Sequence, residues 1–152
     1  MSQQRDLSFG ITPVVRDTCL CLHVQRAARA VARLYDEALR PVGLTNGQFS
    51  LMMALNRPEP PGMGPVSALL AMDRTTLTAN LKPLARRGLV AVSVDPADRR
   101  GRRMALTADG RALLADALPL WREAQAAAER LLATDGAGGD ADRLRADLRA
   151  LS

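Results

Sequence analysis

The sequence predicts a mainly α-helical fold that carries one small β-hairpin, an α+β chain in which helix dominates. Three observations predict it. The 152 residues include 26 Ala, 24 Leu and 20 Arg but only four aromatics, a helix-forming vocabulary with little bulk for a thick sheet core. Apolar residues recur three and four apart over most of the length, as one face of a helix requires. Between Val90 and Leu106 alone the period changes to two, the signature of paired strands. A chain of this length suits one domain with a real core, closed on itself or shared with a partner chain.

Each element can be justified in order. From about Val14 to Arg40, residues Leu20, Val24, Ala27, Val31, Leu34 and Ala38 fall on one stripe, which predicts a single long first helix ended by Pro41 and Gly43. In TNGQ, Thr45 and Gln48 form a capping box for a short second helix whose buried side is Phe49, Met52, Met53 and Leu55. Residues 57–65, RPEPPGMGP, hold four prolines and two glycines and predict a loop. Pro65 then opens a helix of one to two turns with Val66, Leu69 and Leu70, stopping at Met72. Asp73 caps the next helix, which buries Leu77, Leu81 and Leu84 and turns Thr75, Thr78, Ala79, Lys82 and Arg86 outward. Pro83 removes one backbone bond from its last turn, and Gly88 closes it.

Val90, Val92 and Val94 then alternate, as do Met104 and Leu106, around the polar run DPADRRGRR, so a hairpin with a charged tip follows. Thr107 caps a long helix to roughly Leu132 with Leu114, Ala117, Leu118, Trp121, Ala124, Ala128 and Leu131 on one stripe, bent at Pro119. TDGAGG, residues 134–139, reads as a flexible break. Asp140 caps a final helix that keeps Leu144, Leu148 and Leu151 in register.

Charge placement points to a function. Residues 73–107 hold eight Lys/Arg against three Asp, whereas the rest of the chain holds thirteen of each and sums to zero. The entire net charge of +5 therefore sits in one segment. Focused positive charge suits a polyanion, because each cation placed on a phosphate releases counterions. A short helix, a tight turn and a second helix with a Thr/Lys/Arg face has helix-turn-helix geometry, and a hairpin directly after it makes the motif winged. Short side chains let the second helix approach a major groove. Arg74, Thr75, Thr76, Thr78, Ala79, Lys82 and Arg86 are its candidate DNA contacts, with hydroxyls for phosphates or base edges and methyls for thymine. At the tip, Arg99, Arg100, Arg102 and Arg103 suit a narrow minor groove or flanking phosphates. A lone arginine run is usually a solvated loop, and a lone threonine-bearing helix is usually ordinary surface. Their ordered combination carries the DNA-binding reading, with double-stranded DNA as partner.

The same residues carry a family resemblance. LLAMDRTTLTANLKPLARRGLV followed by DPADRRGRRMALTADG resembles the MarR family of winged-helix transcriptional regulators, in which a wing of the form Asp-x-Arg precedes an LTxxG helix start. Asp98, Arg100, Leu106, Thr107 and Gly110 fill those places. The resemblance implies a homodimer, most often a repressor, in which residues 14–44 and 108–152 form the helical dimerisation region and residues 45–107 the winged helix-turn-helix that reads a pseudo-palindromic operator. Leu- and Ala-rich stripes at both ends fit isologous pairing independently. It also implies that Asp98 pairs with Arg100 or a neighbour to stabilise the wing while Arg100 enters the minor groove.

Release by a small aromatic or acyl ligand, or by cysteine oxidation, is a further implication of the family. Tyr35, Asn46, Phe49, Met53 and Trp121 are the candidate effector-binding residues, each equally suited to ordinary core. Cys21, Arg29 and Tyr35 are similar in spacing to the first helix of the peroxide-sensing OhrR branch, with Gln25 and Asn46 where that branch has further tyrosines. Cys21 and Cys19 are thus candidate redox residues; the competing reading packs them as small hydrophobes in an interface. At i and i+2 of a helix their side chains diverge, which disfavours a bridge between them. Cys19 and His23, four apart, could pair as thiolate and imidazolium, but with one histidine and no third ligand no metal is expected. No nucleophile-base set or Gly-rich phosphate loop appears, so neither enzymatic activity nor a cofactor is expected. With no long apolar run and no signal-peptide pattern, the expectation is a cytoplasmic protein away from membranes. A non-specific architectural DNA binder is the rival reading, for which basic charge would spread over several faces.

Overall fold

A computed structural model of the chain describes residues 7–133 and 139–152. The break expected at residues 134–139 lies, but for Gly139, outside them. The elements are α1 (Ile11–Thr18), α2 (Leu20–Leu39), a 3-10 turn (Arg40–Val42), α3 (Asn46–Leu55), α4 (Met63–Leu70), α5 (Arg74–Arg86), β1 (Val90–Val94), β2 (Arg102–Leu106), α6 (Ala108–Ala133) and α7 (Ala141–Arg149). The chain divides into two compact units, Met1–Arg33 and Leu34–Ser152, with the division inside α2.

In the first unit the single long helix expected from Val14 onward is interrupted at Cys19, whose ψ of 106° is extended. Cys19 N–H still donates to Val15 O and closes α1, while Cys19 O accepts from His23 N–H and opens α2. No proline or glycine marks the break. A local cause is Thr18, whose hydroxyl donates to the Val14 carbonyl at 2.7 Å, a back-bond that bends helices. Because Cys19 is not helical, the divergence argument against a bridge to Cys21 no longer applies. None of this unit's described residues is buried, and Phe9, Val14, Val15 and Leu20 are exposed.

The second unit holds the core, built by Leu39, Leu44, Phe49, Leu51, Met52, Val66, Leu77, Leu84, Leu89, Met104, Leu106 and Leu114. Its helix ends follow the sequence signals closely. Thr45 Oγ1 accepts from Gln48 N–H at 3.2 Å while Gln48 Oε1 accepts from Thr45 N–H at 3.1 Å, the reciprocal capping box. At the end of α5, Gly88 (φ 70°) lets its own N–H reach Ala85 O and Leu89 N–H reach Leu84 O, a Schellman closure with Leu84 and Leu89 both buried beside it.

Three expectations need correction here. α4 begins at Met63 after an N-cap at Gly62, so Pro65 is its third residue; this is tolerated because first-turn N–H groups have no intrahelical partner. Met53 is 42% exposed, since Leu51, Met52, Ala54 and Leu55 already fill the inward arc of α3. Val92 and Val94 are exposed although their period is that of a half-buried strand. The covered face of the hairpin is instead β2, where Met104 N–H donates to Pro61 O and Gly62 bridges Arg103, so the proline-rich loop lies along that strand.

α6 runs unbroken through Pro119. It starts against the hairpin: Thr107 Oγ1 accepts from Gly110 N–H at 3.0 Å and donates to Gly88 O at 2.7 Å, and Thr107 N–H donates to Leu89 O. Gly110 is buried against that carbonyl, where a Cβ would lie 2.0 Å from Leu89 O. The LTxxG pattern is thus a packing device, with Leu106 buried, Thr107 capping and Gly110 allowing close approach.

Candidate nucleic-acid interface

α5 is positioned by its own ends and by its apolar stripe. Asp73 Oδ1 accepts from Thr76 N–H at 2.6 Å, a bond that holds the Asp73 carboxyl below its ordinary pKa. Leu77, Leu81 and Leu84 are buried, which leaves Arg74, Thr75, Thr76, Ala79, Lys82 and Arg86 exposed. Thr78 differs from that expectation: it is half-buried, and its hydroxyl donates to Arg74 O, so only its lone pairs remain for a ligand. Asn80, also on this helix, donates to Thr76 O one turn back.

The hairpin is antiparallel, with Val90 opposite Leu106 and Val94 opposite Arg102. Its tip is tightly bonded. Asp95 N–H donates to Gly101 O and Gly101 N–H to Asp98 O, while Asp98 Oδ1 accepts from the backbone N–H of Arg100 at 2.9 Å. Asp98 therefore holds the backbone of Arg100 and leaves its guanidinium free, a difference from the side-chain pairing expected. The ion pair at the wing lies elsewhere, between Asp95 Oδ1 and Arg103 Nε at 3.2 Å. Asp95 also accepts from Ala97 N–H, and that bond first, then Arg103, lowers its pKa.

The cations of this segment fall into two groups. Arg87 donates to Gly43 O at 2.6 Å and Val42 O at 3.4 Å, Arg102 donates to Gly101 O and Arg99 O, and Arg103 faces Asp95. Among the described residues, the side chains of Arg74, Lys82, Arg86, Arg99 and Arg100 have no protein partner. The sequence alone had no signal for Arg87, whose acceptors lie more than forty residues away.

The candidate effector residues separate as well. Phe49 and Trp121 stack with ring centroids 6.1 Å apart, and with Met53 they line a cavity of about 440 Å³ that Leu69, Leu70 and Leu118 also wall and Asn56 and Arg57 border. Tyr35 and Asn46 do not line it. The Tyr35 hydroxyl donates to Gln125 Oε1, and burial raises its pKa; Asn46 donates twice to Asp36 Oδ1. Cys21 Sγ is exposed and accepts from the Gln25 amide at 3.3 Å, which Arg29 holds in turn. His23 Nδ1 donates to the Cys19 backbone carbonyl at 2.8 Å, so no imidazole–thiolate pair forms. No group of three metal-ligating side chains exists among the described residues, and no helix there is long and apolar enough to cross a membrane.

A capped helix with an exposed Thr/Lys/Arg face, entered from a helix and turn and followed by an arginine-tipped hairpin, defines the winged helix-turn-helix class. No family model matches the chain. The chain is 43% identical to the Mycobacterium tuberculosis transcriptional regulator MosR, solved in complex with DNA, over 88% of this chain and 92% of that one at a TM-score of 0.75. It is 29% identical to the transcriptional repressor CouR, solved on a 23-mer DNA duplex, over 96% of each chain at a TM-score of 0.71. Over 79 residues, 51% of this chain, it is 39% identical to the transcriptional regulator HosA of Escherichia coli O111:H-. That match spans 57% of HosA. The chain belongs to the MarR family of transcriptional regulators.

Proposed function

We propose that the protein is a non-enzymatic, sequence-specific DNA-binding regulator of the cytoplasm, acting as a homodimer on a pseudo-palindromic operator and repressing transcription. One observation carries the reading: five cations without protein partners among the described residues stand on α5 and the wing, in a chain whose remaining charge balances. MosR and CouR, both solved on DNA, support it. Residues 45–107 form the reading head in this view. The exposed apolar side chains Phe9, Val14, Val15 and Leu20 at one end, and Leu144, Leu148 and Leu151 at the other, are the surfaces a second copy would cover. The cavity beside Phe49, Met53 and Trp121 suits a small aromatic or acyl effector, with Arg57 and Asn56 as polar anchors.

The test compares affinity for the DNA upstream of the protein's own gene with affinity for a random duplex at one salt concentration. A ratio of about 10³ or more is expected of a specific regulator, and a ratio near one would leave only a non-specific binder. A second reading, thiol sensing at Cys21, is favoured by the exposed sulfur bonded to Gln25. Operator binding unchanged after full oxidation with an organic hydroperoxide would remove it.

A further inference from the structure

The wing raises a question that the DNA-binding reading does not answer. An acid between basic residues lowers the attraction for phosphate, yet Asp95 stands at the base of the arginine tip with 21% of its side chain exposed. Its bonds suggest why. Asp95 N–H closes the tip onto Gly101 O, its Oδ1 accepts from Ala97 N–H at 2.9 Å, and the same oxygen lies 3.2 Å from Arg103 Nε on the other strand, an ion pair in which that buried Nε makes no hydrogen bond. Ser93 pairs with Arg103 and Val94 with Arg102, so this contact crosses where the ladder ends and the loop begins. Arg102 completes the brace by donating to Arg99 O and Gly101 O.

We infer that Asp95 is a positioning residue for DNA binding: by holding Arg103 across the base of the hairpin it fixes the loop that presents Arg99 and Arg100, and it withdraws Arg103 from phosphate contact. The inference rests on the DNA-binding reading above. Its logic is that a loop ordered before binding loses less freedom on binding, and that this gain exceeds the loss of one unit of attraction. The two effects have opposite signs when the carboxylate is neutralised, which makes them separable.

The experiment is a fluorescence-anisotropy titration of the full-length protein on the duplex it binds most tightly, at four salt concentrations, with thermal melts of each variant. Asp95→Asn removes a negative charge, so charge alone would tighten binding. Loss of positioning instead weakens it, by about three- to tenfold if one to two side chains regain their freedom. Arg103→Gln is expected to weaken binding by a similar factor without lowering the slope of log affinity against log salt, because a cation absent from phosphate releases no counterion. The double variant should match the single ones. If Asp95→Asn lowers the melting temperature sharply, Asp95→Ser keeps an acceptor for Ala97 N–H while removing the pair to Arg103, and the same weakening is expected. Tighter or unchanged binding by Asp95→Asn and Asp95→Ser, or an Arg103→Gln variant that lowers the slope by about 0.9, overturns the inference. Wild-type protein that binds no duplex overturns the DNA-binding reading itself, and this inference with it.

Discussion

Replacing Gly110 with alanine pits two known effects against each other, and the geometry decides between them. In a helix interior the change to alanine gains about 1 kcal/mol by propensity. Here the new Cβ would lie 2.0 Å from Leu89 O and 3.0 Å from Leu89 C, both backbone atoms that no rotamer change can move aside. α6 must retreat by about 1 Å to restore ordinary contact. That movement strains the Thr107 N–H bond to Leu89 O and the Thr107 hydroxyl bond to Gly88 O, at about 1 kcal/mol each, and opens packing around Leu106 and Leu114 at about 1–3 kcal/mol. The net expectation is a loss of about 2–4 kcal/mol, or a melting temperature lower by roughly 5–15 °C. The assay is thermal and urea unfolding followed by circular dichroism at fixed protein concentration, because association would make the midpoint concentration-dependent. Gly64→Ala is the control, since nothing lies within 4 Å of a Cβ there, and it should leave stability unchanged or raised by up to about 1 kcal/mol. A Gly110→Ala protein as stable as wild type would refute the seating of α6 on Leu89.

Three further outcomes follow from the same geometry. Thr45→Ala removes the acceptor for Gln48 N–H and should cost about 1 kcal/mol in urea unfolding, whereas an unchanged midpoint would mean the box is not formed. Asp73 and Asp95 both have folded pKa values below their unfolded ones, so their contribution is present above the ordinary carboxylate range and is lost as pH falls through the depressed folded values; stability that stays flat into strong acid would contradict this. Arg86→Ala should lower the salt slope of DNA binding by about 0.9 per protomer, whereas Arg87→Ala should leave the slope alone and lower stability by about 1 kcal/mol; neighbouring arginines that behave alike would refute their separation.

What the sequence made legible depends on how far apart the interacting residues are. Thr45, Asp73, Thr107 and Asp140 were readable as caps because each bonds an N–H two or three residues on, and Gly88 was readable because its φ is needed by the turn that it makes. The break at Cys19 was hidden because no helix-breaking residue marks it and the apolar stripe continues across it. Long-range ties were also hidden: Arg87 to Gly43, and Tyr35 to Gln125 some ninety residues away, join polar residues that look like ordinary surface in the sequence. In the wing the Asp-x-Arg pattern located the tip correctly. It could not reveal that Asp98 bonds the backbone of Arg100 while Asp95 takes a guanidinium, since both acids lie within reach of several arginines.

The same distinction alters how the basic segment should be counted. Charge summed along residues 73–107 offers eight cations per chain, but Arg87 and Arg102 donate to protein carbonyls, Arg103 faces Asp95, and among the described residues the other five have no protein partner. Only a cation that displaces a counterion from phosphate steepens the salt dependence, by about 0.9 each on duplex DNA. A homodimer with all ten free cations on phosphate would therefore reach a slope of about −9, whereas sixteen would reach about −14. A measured slope between zero and about −9 fits partners that stay in place. A steeper one would mean that further cations reach phosphate, either Arg87, Arg102 or Arg103 pulled from the oxygens that hold them or arginines outside residues 73–107.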